Sequence, residues 1–328
     1  MIEAEGLTKQ FGAFTAISDV SFAVGRGEIV GFLGPNGAGK STTMRILAGV
    51  FPPTRGRAVV AGYDVVTEAQ HARGVVGYFP ERIALYTDMT VGSYLSYVAE
   101  MKGVARSDSR QQQPELLHTC GLAHMAHRLI GTLSKGYRQR VGIAQALVGS
   151  PRVLILDEPT SGLDPEQVAE LRSLIRSLRG DRTVILSTHI LSEVEATCDH
   201  VIIINKGRVL AVDTPHNLNQ RLRRTSQIYI EVVGPPAAIS DRLRAIPGVL
   251  QVERADQAIH VDDANALSVS TEKDRDLRTV IAAAIAAGGW ALRELRPVAL
   301  SLEDIFLAMV AETGQPAATD ESIRHLPA

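Results

Sequence analysis

Glycines gathered around a lysine can cradle phosphate, and residues 34–42 have that form. Gly34, Pro35, Asn36, Gly37, Ala38, Gly39, Lys40, Ser41 and Thr42 fit the phosphate-binding loop pattern, after a predicted strand and before a helix that opens near Ser41. Small residues let the backbone wrap so that successive N–H groups point inward, and the helix N-terminus adds partial positive charge for a triphosphate. Lys40 is placed to meet the β- and γ-phosphates, a charge-assisted contact of about 1.5 to 3 kcal/mol, and Ser41 offers its hydroxyl to Mg²⁺. A second constellation ends the apolar run 153–156 in two adjacent carboxylates, Asp157 and Glu158. Asp157 suits Mg²⁺, directly or through water, and Glu158 suits polarising an attacking water, a role typically worth about 10²- to 10⁴-fold. Alone, such a pair is more often a solvated helix cap; a phosphate loop in the same chain tips the reading toward chemistry. Together the two stretches allow Mg²⁺-assisted attack of water on a nucleoside triphosphate.

These residues need a sheet whose strand ends lie side by side. Residues 29–33 are apolar on both faces, as a central strand covered by helices should be. Two further runs, 153–156 and 183–187, flank a helical pattern over 167–178, so strand, helix and strand imply a parallel sheet whose C-terminal edge carries both constellations. Alternation around Ile17, Val20, Phe22 and Val24 suggests short antiparallel strands before it. From about 82 to 135 the pattern turns helical, an expected inserted subdomain. The runs 201–204 and 209–212, joined by Asn205, Lys206 and Gly207, read as a hairpin.

After about residue 218 the pattern changes. Strands at 227–233, 249–254, 258–261 and 290–296, with helices at 238–246 and 273–287, give the order βαββαβ of a small ferredoxin-like unit. Ser301 to Asp304 resembles a helix N-cap opening a last helix to Val310, and the tail from Gly314 lacks periodicity, as expected of a disordered end.

The composition fits such a folded two-domain chain. At 328 residues, with 45% hydrophobic and 21% charged residues, it is neither disordered nor a coiled coil. A net charge of −2 with both signs interspersed argues against nucleic acid as a partner. Cys120 and Cys198 have no metal or disulfide spacing, and the N-terminus lacks an export signal, so a reducing cytoplasm is expected. The longest apolar candidate, 280–292, falls short of the roughly 20 residues that span a bilayer.

Leu133, Ser134, Lys135, Gly136 and Tyr137, shortly before the Asp157 strand, resemble the signature motif of ABC transporter ATPases. The resemblance continues in order with Ser161 to Asp164, similar to the loop that links two sites across a dimer, and with His189, similar to the switch histidine at the γ-phosphate. Phe11 matches the aromatic that stacks on adenine, with core packing for Phe11 and stacking by Phe14 as open alternatives. Glu81 stands where many relatives have Gln; its carboxylate can bind Mg²⁺ or its water, and a surface position after Pro80 is the alternative. Lys135 and Tyr137 replace the usual Gly and Gln.

The resemblance implies an α/β phosphate-loop ATPase cassette over 1–218, with a mainly parallel central sheet, N-terminal antiparallel strands and the helical insert, then a small α+β domain over 219–313. It implies ATP and Mg²⁺ as cofactors, with Ser41, Glu81 and Asp157 at the metal. Glu158 and His189 would be catalytic, and Ser134, Gly136 and Asp164 would face the nucleotide of a second copy in a head-to-tail dimer. Glu81, the Leu-Ser-Lys-Gly-Tyr signature and Ser301 to Phe306 are similar to subunits of ABC-2-type exporters, which pair with a separately encoded transmembrane permease. A peripheral place at the cytoplasmic face of the membrane follows. A soluble ABC ATPase of translation or DNA repair is the rival, disfavoured by a single signature motif and no sustained heptads.

Overall fold

The computed structural model describes residues 1–221, 225–254, 264–272 and 276–298. The chain divides into two compact units at Pro215/His216.

In the first unit, β1 (Ile2–Phe11) and β2 (Phe14–Val24) pair antiparallel, and β4 (Arg55–Val60) and β5 (Tyr63–Asp64) extend them in the order β2-β1-β4-β5. Ile2, Ala4 and Leu7 of β1 and Ile17, Val20, Phe22 and Val24 of β2 turn inward. The second sheet holds β3 (Ile29–Leu33), β6 (Val76–Phe79), β7 (Val153–Asp157), β8 (Thr183–Thr188), β9 (His200–Asn205) and β10 (Arg208–Asp213), in the order β10-β9-β3-β8-β7-β6. All its neighbours run parallel except β10, which returns along β9 after a tight turn at Lys206 and Gly207. Every residue of β3, β7 and β8 is buried, which is why these strands read as unbroken apolar runs rather than alternating ones. Between the two sheets, Val30, Phe32, Ile155, Ile185 and Ile202 meet Ile2, Leu7, Val20 and Phe22, with Met44 and Leu47 of α1 (Lys40–Leu47), in one core.

The other helices of this unit are α2 (Ala69–Gly74), α3 (Val91–Met101), α4 (Arg106–Thr119), α5 (Lys135–Leu147), α6 (Pro165–Ser177) and α7 (Leu191–Thr197), and α8 (Pro215–Arg221) follows at the division. The insert is helical as expected. Thr90 caps α3 by accepting from Ser93 N, and Ser134 and Asp164 cap α5 and α6 by accepting from Tyr137 N and Gln167 N. The C-terminus of α5 is held by Lys102, whose ammonium donates to the carbonyls of Gln145, Ala146 and Val148 at 3.0, 3.2 and 2.9 Å.

The second unit runs β11 (Thr225–Val233), α9 (Pro236–Arg244), β12 (Val249–Arg254), β13 (Ala264–Glu272), α10 (Arg278–Ala287) and β14 (Ala291–Val298). Its sheet order, β12-β13-β11-β14 with every neighbour antiparallel, is that of a ferredoxin-like fold. Ile228, Ile230 and Val232 pack under Ile239, Leu243, Ile281 and Ile285 in a core of their own. The third strand of this unit is β13 at Ala264–Glu272, and residues 258–261, expected to form it, lie outside the described residues. The helix expected over 301–310 and the tail from 314 also lie outside them. Among the described residues, no helix is long and apolar enough to cross a membrane.

Candidate functional site

The phosphate loop leaves β3 at Leu33 and becomes α1 at Lys40. Only glycine fits at its two ends. A Cβ on Gly34 would come within 2.3 Å of the Ile204 carbonyl, and Gly39, at φ +106°, would place one 2.5 Å from Ile17. Lys40 is 5% exposed. Its ammonium donates to the carbonyls of Gly34 at 2.8 Å and Pro35 at 3.3 Å.

Parallel pairing of β7 with β8 brings Asp157 beside Ser187 at the sheet's C-terminal edge. Asp157 is fully buried, and its Oδ1 accepts from Ser187 Oγ at 2.6 Å and Ser41 Oγ at 3.0 Å. Its Oδ2 is buried without a hydrogen-bond partner. Burial pushes the Asp157 carboxyl up, the two hydroxyls pull against that, and the nearby Glu81 charge adds to it. An orphaned buried oxygen next to a serine and a second carboxylate suits Mg²⁺, which takes few protein ligands when a nucleotide supplies the rest.

Glu158 follows in the left-handed region, at φ +50°, a strained conformation for a residue with a Cβ. Its N–H donates to Ser187 Oγ at 3.0 Å and to the Ser187 carbonyl at 3.2 Å, which hold the strand end in this turn. The turn aims the carboxylate back over the phosphate loop: Oε1 lies 3.2 Å from the Lys40 ammonium, an ion pair without hydrogen-bond alignment, and Oε2 lies 2.9 Å from His189 Nδ1. Lys40 and His189 are thus joined through the one side chain of Glu158.

These groups line a cleft of about 420 Å³ together with Pro35, Asn36, Gly37, Thr42, Glu81, Ser161 and Phe14. Of the two aromatic candidates, Phe14 lines this cleft. Phe11 sits edge-on to Phe51, with centroids 5.7 Å apart, and the Lys9 ammonium lies 4.8 Å from the Phe51 ring and 5.3 Å from the Phe11 ring. Ser134, Gly136 and Asp164 are elsewhere. They line a second cleft of about 200 Å³ with Tyr137, Arg140 and Gln167, and it shares no lining residue with the first. A Cβ on Gly136 would lie 2.8 Å from the Gln167 side chain.

Ser187, Thr160, Thr188 and Glu193 escaped the sequence reading. The available signal was a hydroxyl run, Ser187 and Thr188, closing a strand that is otherwise apolar after its first residue and whose neighbour ends in two acids.

A family model described as ABC transporter matches residues 17–161, and one described as an AAA domain, putative AbiEii toxin, matches 128–195. A linearmycin resistance ATP-binding protein of Bacillus subtilis is 32% identical over 95% of this chain and 99% of its own length. The chain belongs to the ABC transporter ATP-binding protein family. A bacitracin transport ATP-binding protein of Bacillus licheniformis is 38% identical over 75% of this chain and 77% of its own. A solved ATP-binding subunit of an ABC transporter, 32% identical, superposes with a TM-score of 0.61 over 67% of this chain and 92% of its own. A bacterial ABC transporter cassette solved as a dimer is 25% identical, with a TM-score of 0.59 over 65% of this chain and 98% of its own. The N-terminal unit is therefore an ATP-binding ATPase cassette.

Proposed function

We propose that this ABC ATPase powers a membrane exporter from the cytoplasmic face, as a head-to-tail dimer docked on a separately encoded permease. The observation that carries the reading is the split arrangement of one chain. Lys40, Ser41, Glu158 and His189 line one cleft, with Asp157 buried behind Ser41, whereas Ser134, Gly136 and Asp164 line another. Two copies placed head to tail bring the second cleft of each onto the first cleft of the other. The solved dimeric cassette supports a dimer, and the resistance and transport roles in the relatives' names favour an exporter over a soluble ATPase.

In this reading Lys40 leaves its loop carbonyls for the β- and γ-phosphates. Glu158 accepts a proton from the attacking water, and His189, anchored on Glu158 Oε2, meets the γ-phosphate. Ser41, Asp157 and Glu81 are the residues that would hold Mg²⁺, which would supply charge neutralisation at the phosphate oxygens. Ser134 and Gly136 at the start of α5 present backbone N–H groups to the partner's γ-phosphate. Phe14 is the aromatic placed to meet the base.

The test is a pull-down from detergent-solubilised membranes with tagged Glu158→Gln protein and ATP. Recovery of a polytopic membrane protein is expected. Recovery of ribosomes or repair factors alone would move the protein to the soluble class.

A further inference from the structure

A carboxylate taken out of water must be held by donors that replace its hydration, and an apolar side chain fills the same space at lower cost. Glu193, in the first turn of α7, is 5% exposed. Among the described residues no lysine, arginine or histidine forms an ion pair with it. Instead one oxygen, Oε2, accepts from two buried hydroxyls, Thr160 Oγ1 and Thr188 Oγ1, each at 2.9 Å. Thr188 Oγ1 itself accepts from Ile190 N at 3.0 Å, so its own proton is left for Glu193.

The two threonines belong to different segments: Thr160 lies in the turn after β7, and Thr188 ends β8. Thr160 starts the turn that leads to Asp164: Ser161 N donates to the Glu158 carbonyl at 3.2 Å, and Leu163 N to the Thr160 carbonyl at 3.1 Å. Thr188 immediately precedes His189, whose Nδ1 is 2.9 Å from Glu158. A single carboxylate oxygen therefore ties the turn that carries Asp164 to the strand end that carries His189.

We infer that Glu193 is a positioning residue that locks the loop carrying Ser161 and Asp164 to the loop carrying His189, so that engagement of a partner copy at Asp164 is felt at the His189–Glu158 contact. The inference rests on the dimeric reading above and adds the element that couples its two sites.

The experiment is ATP turnover by the purified full chain across ATP concentrations, with thermal melts in parallel. Glu193→Ala is expected to lower kcat on the order of 10- to 100-fold, since small misplacements at a reacting centre cost that much. Its KM for ATP stays within about threefold because the phosphate loop is untouched, and its Hill coefficient falls toward one. Glu193→Gln, which keeps an acceptor oxygen, is expected to recover most of the turnover. If Glu193→Ala fails to fold, Thr160→Val and Thr188→Val remove one hydroxyl each, and each is expected to lower kcat and the Hill coefficient in the same direction. A lower melting temperature with kcat and Hill coefficient unchanged overturns the inference, as does a Gln variant no better than Ala. Glu158→Gln run alongside separates the two levels: if it still hydrolyses ATP, the reading of the site falls and the coupling falls with it. If it is inactive while Glu193→Ala turns over normally, only the coupling falls.

Discussion

Replacing Glu158 by Gln tests the site at its most connected residue. The amide keeps the shape but loses the charge that faces Lys40 at 3.2 Å and the base that would take the water's proton. Loss of a general base costs about 10²- to 10⁴-fold in turnover, roughly 3 to 5 kcal/mol in the barrier. Affinity moves the other way. In the nucleotide-free protein Lys40 must give up Glu158 before it meets phosphate, and the pair is 5% and 10% exposed, so solvent screens it little. Its poor alignment puts it near the lower end of charge-assisted contacts, about 1.5 kcal/mol, which corresponds to about tenfold tighter ATP binding once the competitor is gone. Phosphate release at saturating Mg²⁺ and ATP gives the first quantity, and equilibrium titration with a fluorescent ATP analogue gives the second. Turnover within a few-fold of wild type, or weaker ATP binding in the variant, would refute the assignment.

Other changes separate support from chemistry. Ser187→Ala leaves Asp157 Oδ1 with Ser41 alone and Glu158 N without its hydroxyl acceptor. It is expected to cost about 1 to 3 kcal/mol of stability and to raise the Mg²⁺ concentration for half-maximal turnover several-fold; a Mg²⁺ titration identical to wild type contradicts this. Lys102, whose ammonium is pushed down to about 8 by burial, sheds its proton before the unfolded chain does at 10.5. The unfolded state then binds more protons between about pH 8 and 10.5, so stability from this group rises with pH across that window. Urea midpoints of wild type and Lys102→Met should therefore diverge between pH 8 and 10, and a constant difference would show that the ammonium is not desolvated. Cys120 and Cys198 are buried, and burial holds Cys120 up at about 12 and pushes Cys198 up as well. A thiol reagent is expected to label neither in the native protein and both on unfolding, and rapid native labelling would show that the core around them opens.

The strands that carry chemistry were legible because β3, β7 and β8 are covered on both faces, so their apolar runs have no competing reading. β1 was not. Register shifts between Ala4 and Leu7 and again between Leu7 and Lys9 break its alternation, and β4 opens on three exposed residues. In the second unit the order of elements was legible but the third strand was displaced, because β13 alternates Leu267, Val269 and Thr271 with serines that give a weak contrast. The phosphate loop, Asp157 and Glu158 stood out through spacing. Spacing alone did not separate Phe11 from Phe14, and of the two Phe14 lines the cleft. Ser187 and Glu193 were invisible for a different reason: a serine at a strand end and a glutamate in a helix's first turn are ordinary surface choices until parallel pairing and α7 turn them inward.

The order of strands in the central sheet also has a consequence during synthesis. The backbone N–H of Ile29 donates to the carboxylate of Asp199, 170 residues later in the chain, and β3 pairs only with β8 and β9. At a ribosomal pace of about 5 to 20 residues per second, β3 waits roughly 10 to 35 s for its neighbours. For that interval a strand apolar on both faces has nothing to pair with, and the phosphate loop at its end has no sheet to brace it. Assembly of the phosphate loop on its sheet is thereby deferred until nearly the whole cassette has left the ribosome.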